Sequence, residues 1–346
     1  MKYSIIVAVY NRIDEVKELL ESAEKLDFPR QDFELFFVDD GSQDGFKDFI
    51  ESYPSPSGLN TRAVYQKNQG PGAARNNGMA HSDSDYFIFV DSDCMFPPNY
   101  MAELDKRVKD FDACGGPDTD HPSFSPLLKA ISYSMTSFIG TGGTRGKSEK
   151  VGKFYPRSFN MCVSRKVYET IGGMNKLRHG QDMDFSAQIV EAGFKTGLIK
   201  DAFVYHKRRT SISKFYRQIF NWGVARINLG RLHPSLSKPV HFLPAMVVIG
   251  IAFLALLSII FYQYAALIWS IIGIGFGAVC LFAFIESGIK NKSIKIGFLS
   301  IITLNIQVFA YGFGLLKALW QTKILRRKEA QGFVKNYYSK KKLESR

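Results

Sequence analysis

The sequence predicts an α/β fold, a doubly wound and mostly parallel sheet over about residues 1–210, followed by an α-helical membrane region. Three observations predict it. Short strand-like runs alternate with helical patterns four times over before Cys94. Each run is continuously apolar rather than alternating, as expected of strands covered on both faces. From His241 to Trp320, long apolar stretches replace the mixed pattern.

The strand candidates are "YSIIVAV" (3–9), "FELFFVDD" (33–40), "TRAVYQ" (61–66) and "DYFIFVD" (85–91), all rich in β-branched and aromatic residues. After the first, Val16, Leu19, Leu20 and Ala23 recur at helical spacing within 13–26. In such sheets ligands sit at the carboxyl ends of the strands. The polar residues there are Asn11, then Asp39 and Asp40, then 68–75, then Asp91 and Asp93, so one crevice collects them. After Cys94 the alternation weakens. "IGTGGTRGK" (139–147) is a Gly-rich loop whose backbone N–H groups could approach a phosphate or a sugar. In "HGQDMDFSAQIVEAGFKTG" (179–197), Phe185, Ile189 and Val190 form a helical face, Gly193 ends it, and Asp182 lies in the first turn. The stretch 211–232 places Phe215, Ile219, Phe220 and Ile227 on one side and Lys214, Arg217 and Arg226 elsewhere, the pattern of an interfacial amphipathic helix. The expected segments are therefore an α/β domain at 1–210, an amphipathic linker at 211–240, membrane helices at 241–322 and a basic tail at 323–346.

Composition narrows the function classes. With 46% hydrophobic and 22% charged residues over 346 positions, disorder is excluded. The net charge of +13 is concentrated: no acidic residue occurs between Asp201 and Glu286, while eight Lys and Arg fall between Lys207 and Lys238. Basic blocks beside membrane segments face an anionic cytoplasmic leaflet, and no nucleic-acid-binding module accompanies them, so lipid is expected as the partner and nucleic acid is not. The four cysteines lack CxxC spacing and read as free thiols. The start, "MKYSIIVAVYNR", has too short an apolar core for a signal peptide, which predicts a cytoplasmic first domain.

The tip of the fourth strand, "FVDSDCMF" (89–96), sets Asp91 and Asp93 one residue apart. An Asp-x-Asp tip can hold Mg²⁺ or Mn²⁺, hard cations that prefer carboxylate oxygens; alone, it also fits a solvated turn or a helix cap. The ordered set "VDDGSQDG", "NQGPGAARNNG", "DSD", "SFNMCVSRKVYETIGGMN" and "GQDMDFSAQIVEAGF" resembles the family 2 glycosyltransferases, with their Rossmann-like GT-A fold, over about residues 3–206. The resemblance implies a metal-dependent, inverting transfer from a nucleotide-diphosphate sugar, UDP-sugars foremost. The implied acceptor is a lipid-linked glycan or polyprenyl phosphate. Tyr10 and Asn11 would border the nucleobase, and Asp40, or alternatively Asp39, would accept from the uracil imide. Arg75 would pair with base or diphosphate, Asp91 would meet the ribose or the metal shell, Asp93 would bind Mg²⁺ or Mn²⁺, and His206 would be a third metal ligand. Asp182 would be the catalytic base, with Gln181 replacing the Glu usual beside it and Asp184 as the alternative base. Arg208 and Arg209 could neutralise the leaving diphosphate, and loops near 140–157 would shape the sugar pocket. Two rivals remain: a catalytically degenerate sugar-nucleotide-binding scaffold, which the intact Asp91, Asp93 and Asp182 disfavour, and a nucleotidyltransferase, which would want a Lys-containing phosphate loop where "AVYNRIDE" stands.

Apolar runs at 241–262, 265–285 and 296–320 are each long enough to span a hydrocarbon core of about 30 Å. Basic blocks precede the first run, separate the second from the third and follow the third, so three full crossings conflict with the positive-inside bias. The third run, with Asn305 and Gln307 at its centre, is therefore expected to re-enter or lie in the interface, leaving both termini in the cytosol.

Overall fold

The strand Tyr3–Val9 (β1) is buried along nearly its whole length. In this computed structural model, which describes residues 2–141, 154–177, 179–207 and 211–333, its side chains alternate between two cores. Tyr3, Ile5, Val7 and Val9 pack with Val16, Leu19 and Leu20 of the following helix, whereas Ile6 packs with Phe36, Val38, Ala74 and Phe89. A chain covered on both faces has no solvent side to mark with polar residues, hence the unbroken apolar run. Each such buried side chain contributes about 1.5–3 kcal/mol.

The other strands are β2 (Phe33–Asp39), β3 (Thr61–Tyr65), β4 (Tyr86–Asp91), β5 (Cys94–Met95), β6 (Ala113–Gly115), β7 (Asp118–Thr119), β8 (Asn160–Ser164), β9 (Thr196–Leu198) and β10 (Val204–His206). A seven-stranded sheet runs β3-β2-β1-β4-β8-β6-β9. Pairing is parallel from β3 through β4, with Val9 opposite Asp39 and Ala8 opposite Asp91. Strand β8 runs antiparallel to both β4 and β6, a reversal that "NMCVS" does not announce because an apolar run carries no direction. A second sheet, β5-β10-β7, pairs His206 with Cys94.

Helices are α1 (Ile13–Ala23), α2 (Phe46–Glu51), α3 (Pro71–Ala80), α4 (Tyr100–Arg107), α5 (Pro126–Thr136), α6 (Phe138–Thr141), α7 (Arg165–Ile171), α8 (Gln181–Glu191), α9 (Ile212–Leu232), α10 (Leu243–Ile260), α11 (Ala265–Asn291) and α12 (Ile294–Leu319). Helix α3 lies so close to the sheet that a Cβ on Gly78 would stand 2.5 Å from Ile6 Cγ2. Its entry is set by Gly70 at φ +91°, a conformation that side chains disfavour.

Two compact units result. Of the described residues, one comprises 2–121, 154–177 and 179–207; the other comprises 122–141 and 211–333. In the second unit α12 is the hub, packing on α9, α5, α11 and α10. A Cβ on Gly314 would meet Phe220 O at 2.0 Å, and one on Gly223 would meet Tyr311 O at 2.2 Å, so bare backbone is what lets α9 and α12 approach. The apolar face of α9 is accordingly not a free interfacial face: Phe215, Ile219, Val224 and Ile227 are buried with Ala310, Leu315 and Ala318 of α12. Periodicity shows that a face is covered, not whether protein or lipid covers it.

Among the described residues three helices are long and apolar enough to cross a bilayer, Pro239–Ile260, Tyr262–Asn291 and Ile294–Ile324, with mean hydropathies of 2.7, 2.3 and 1.6. The first two are 6% buried and the third 44%. Their bare apolar surface marks a multi-pass membrane protein. The third is one unbroken helix, which corrects the expectation of a re-entrant segment; Gly312 and Gly314, far from breaking it, are contact points with Pro244 and Phe220. Gly314→Ala should lower the melting temperature in detergent by overpacking worth about 1–3 kcal/mol. Gly273→Ala, where a Cβ would meet nothing within 4 Å, should leave it unchanged or raised.

Candidate active site

The crevice begins where β1 and β2 end together. Asn11, at φ +51°, donates its backbone N–H to Ser42 Oγ at 2.9 Å, and its side-chain oxygen accepts from Gln43 N at 2.7 Å. This clamps the "DGSQ" turn to the end of β1, immediately after half-buried Tyr10. Asp39 is buried and accepts from Ser42 N through one oxygen at 3.0 Å. Asp40 is buried too, but both its oxygens are occupied: Oδ1 accepts from Gln66 Nε2 at 2.7 Å and Gln69 N at 2.8 Å, and Oδ2 accepts from Gly70 N at 2.8 Å. Burial raises its pKa, an effect those three bonds oppose. Of the two carboxylates, Asp40 thus holds the "NQGPG" loop in place, and Asp39 has the less encumbered side chain.

Arg75, in α3, is 6% exposed and donates to Asp91 Oδ1 at 2.5 Å across the end of β4. Its Nε is buried without a partner among the described residues. Asp182, at the start of α8, is held by Arg157 Nε at 2.7 Å. Burial opposes ionisation of Asp182, but the Arg157 guanidinium, its hydrogen bond and the Arg75 charge outweigh burial and lower the pKa below the usual carboxylate range. Gln181 joins the two helices: its Oε1 accepts from Gly72 N, in the first turn of α3, at 3.1 Å. Asp184 is 1% exposed and accepts from Asn175 Nδ2 and Gln188 Nε2 at 3.0 and 2.8 Å, so it serves the packing of α8 rather than a reacting group.

The third cluster sits on the small sheet. His206 Nε2 lies 3.2 Å from Asp93 Oδ1, and Nδ1 lies 3.5 Å from Asp118 Oδ2. Burial disfavours the imidazolium, yet Asp93 and Asp118 raise His206 to about 9. The place therefore favours positive charge, as a cation site must. Asp93, Cys94 and His206 present donor atoms within 4.8 Å of one another. Burial pushes the Cys94 thiol well up, so it stays protonated and suits a hard cation poorly. Carboxylate and imidazole at Asp93 and His206, with Asp91 nearby, fit Mg²⁺ or Mn²⁺.

Asp39, Asp40, Arg75, Asp91, Asp93, Asp182 and His206 all lie in the first unit, where Arg75 pairs with Asp91 and His206 with Asp93. Arg208, Arg209 and the loop 142–153 lie outside the described residues. Sequence reasoning missed Arg157 and Asp118, which belong to no local motif; each meets its partner only through the fold, 25 and 88 positions away by chain number.

Acids and arginines gathered at the carboxyl ends of parallel strands, beside a hard-cation donor pair, define a nucleotide-sugar transferase of the GT-A type. Residues 4–172 match the family described as Glycosyl transferase family 2. Glycosyltransferase AglE of Haloferax volcanii is 24% identical over 267 residues, covering 69% of this chain and 83% of AglE. The poly(ribitol-phosphate) beta-N-acetylglucosaminyltransferase TarS of Staphylococcus aureus is 38% identical over 93 residues, 27% of this chain and 16% of TarS. Among solved structures, the mannosyltransferase PcManGT from Pyrobaculum calidifontis, in complex with GDP-Man and Mn²⁺, shares the fold with a TM-score of 0.63 at 17% identity, over 92% of this chain and 87% of that one. Residues 4–172 thus carry a family 2 glycosyltransferase domain, and long apolar helices follow it. Because Asp40 is spent on three loop bonds, Asp40→Asn should cost about 1–3 kcal/mol by setting an amide N–H against a loop N–H. The drop in melting temperature without nucleotide should exceed that of Asp39→Asn.

Proposed function

We propose that this glycosyltransferase moves a sugar with inversion from a nucleotide-diphosphate donor, UDP-sugars foremost, to a lipid-linked glycan or polyprenyl phosphate at a membrane surface. The observation that carries this reading is the two ion pairs Arg75–Asp91 and Arg157–Asp182, with the Arg75 charge also acting on Asp182, which keeps that carboxylate ionised. Asp182 takes the proton of the acceptor hydroxyl as that oxygen bonds to the anomeric carbon. The bond to the nucleotide's diphosphate breaks on the opposite face, so configuration inverts. Arg75, with its unpartnered Nε, donates to the diphosphate as charge develops there. Asp39, beside Tyr10 and Asn11, accepts the imide N–H of the base, and Asp40 shapes the loop below it. Asp93 and His206, with Asp91, would hold Mg²⁺ or Mn²⁺, which neutralises the diphosphate when bound. The Mn²⁺ carried by the Pyrobaculum fold relative supports the same choice of ion. A scaffold reading leaves the ionised Asp182 without a task.

Asp182→Asn should abolish transfer while donor affinity, measured by calorimetry with Mn²⁺ and UDP- and GDP-sugars, changes less than about threefold; near wild-type turnover would sink the base assignment. The pKa of Asp182 is depressed, so the base form is lost only as pH falls below the ordinary carboxylate value of about 4. At saturating Mn²⁺, Arg157→Gln should move the acidic limb of kcat/KM upward, because burial then acts with less opposition.

For the membrane region we propose that α10 and α11 form a crossing hairpin and that α12 lies along the interface. The basic blocks flanking these helices support this, with the glycosyltransferase unit and both termini cytoplasmic. A topology reporter fused after Arg346 should report the cytoplasm; an active periplasmic-type fusion would instead show three crossings.

A further inference from the structure

We infer that Asp118 is a positioning residue for the metal site, fixing the ring orientation and tautomer of His206 from behind; the inference rests on the reading of Asp93 and His206 as cation ligands. The geometry is that of a ligand and its support. The two ring nitrogens of His206 point at different carboxylates: Nε2 is 3.2 Å from Asp93 Oδ1, and Nδ1 is 3.5 Å from Asp118 Oδ2. Only one of them can serve the shared site with Asp93, and it is Nε2. Nδ1 is buried, with no nearer partner among the described residues. An imidazole that gives a lone pair to a cation through Nε2 must carry its proton on Nδ1, and a carboxylate beside Nδ1 selects that tautomer.

The backbone makes the arrangement rigid. β10 is held antiparallel to β5, with His206 opposite Cys94, and parallel to β7, with Val204 opposite Asp118. Asp93 immediately precedes β5, and Asp118 opens β7. Three short strands thus bring Asp93, His206 and Asp118 together, although they stand at different register positions. Lys207 N donates to Asp93 O at 2.8 Å, tying the end of β10 to the Asp-x-Asp tip. The Phe159 ring, centred 5.2 Å from the imidazole, packs on its face and limits rotation. The separation of 3.5 Å is long for a hydrogen bond and within ion-pair reach. With Asp118 in place, the Nδ1 proton stays on its carboxylate side and the ring is already aimed, so the Nε2 proton is the one the cation displaces. Without it, the ring must choose its tautomer and angle at the moment of binding.

The test is Mn²⁺ affinity of the full-length protein in detergent, read by calorimetry and by the room-temperature paramagnetic resonance of free Mn²⁺, with no donor or turnover involved. Asp118→Ala should weaken Mn²⁺ binding about 10–100-fold, the usual loss when a ligand's outer partner is removed. Asp118→Asn, whose amide oxygen can still accept from Nδ1–H, should lose clearly less and guards against misfolding of the alanine variant. In a His206→Ala background, Asp118→Ala should have no further effect, because Asp118 acts only through the ring. An Asp118→Ala affinity within threefold of wild type, while His206→Ala binds weakly, overturns the role of Asp118 alone. Equal losses from Asp118→Ala with and without His206 overturn it as well, showing a ring-independent effect. Unaltered Mn²⁺ binding in His206→Ala overturns the ligand reading, and this inference with it.

Discussion

Burial of β1 on both faces, between two parallel neighbours, is the constraint from which the site follows. A strand covered above and below can be polar only at its ends. Because β2 and β4 run in the same direction as β1, their polar ends fall at the same edge: Asp39 opposite Val9 and Asp91 opposite Ala8. Strands are spaced about 4.8 Å apart, so the backbones of these two residues stand about 10 Å apart across the end of β1. The turns that follow are then free to specialise. Asn11 pins one of them through Ser42 and Gln43, and Asp40 pins another through Gln66, Gln69 and Gly70.

On that edge, charge is arranged so that each ion justifies its neighbour. A guanidinium as buried as that of Arg75 would cost several kcal/mol without a counter-ion, and Asp91 supplies one. Asp182 meets the same difficulty with opposite sign, and Arg157 and Arg75 resolve it. Asp91, which the proposed mechanism places at the donor site, is therefore also the acid that makes the buried Arg75 tolerable. His206 extends the pattern: two carboxylates around one imidazole favour positive charge at that point, whether a proton or a metal ion carries it.

Much of this was legible because it is encoded locally. The strands β1, β2 and β4 could be read from continuous apolar runs, and Asp39, Asp91 and Asp93 from their places at the ends of such runs. Arg75 and Asp182 were legible through motifs that also predict a helix start. What escaped was relational. Asp40 and Asp39 are adjacent and chemically identical in sequence; only the path of the 66–70 loop shows that one of them is consumed by backbone N–H groups. Arg157 and Asp118 became visible only when β8, reversed against β4, and the small β5-β10-β7 sheet brought distant segments together. The direction of β8 could not be inferred because periodicity is blind to strand polarity.

The helical region shows the same limit in another solvent. An apolar face on α9 is equally good evidence for a lipid-facing helix and for one packed against protein, and the deciding residues lie on another helix. Gly312 and Gly314 of α12 leave the backbone bare where Pro244 and Phe220 approach. Polar side chains add register: Ser134 meets Thr303 at 2.6 Å and Ser287 meets Ser300 at 2.6 Å, while Tyr133 donates to Glu286. In an apolar medium hydrophobic burial does not distinguish helix from lipid, so close backbone contact and such polar pairs must specify which helices associate. Helix α12 carries both devices and is the most buried of the three long helices, whereas α10 and α11 keep nearly all their apolar surface outward. The third helix thus gains its partners through the small and polar residues that lower its hydropathy, which is why the feature that made it look least like a membrane span also makes it the centre of its unit.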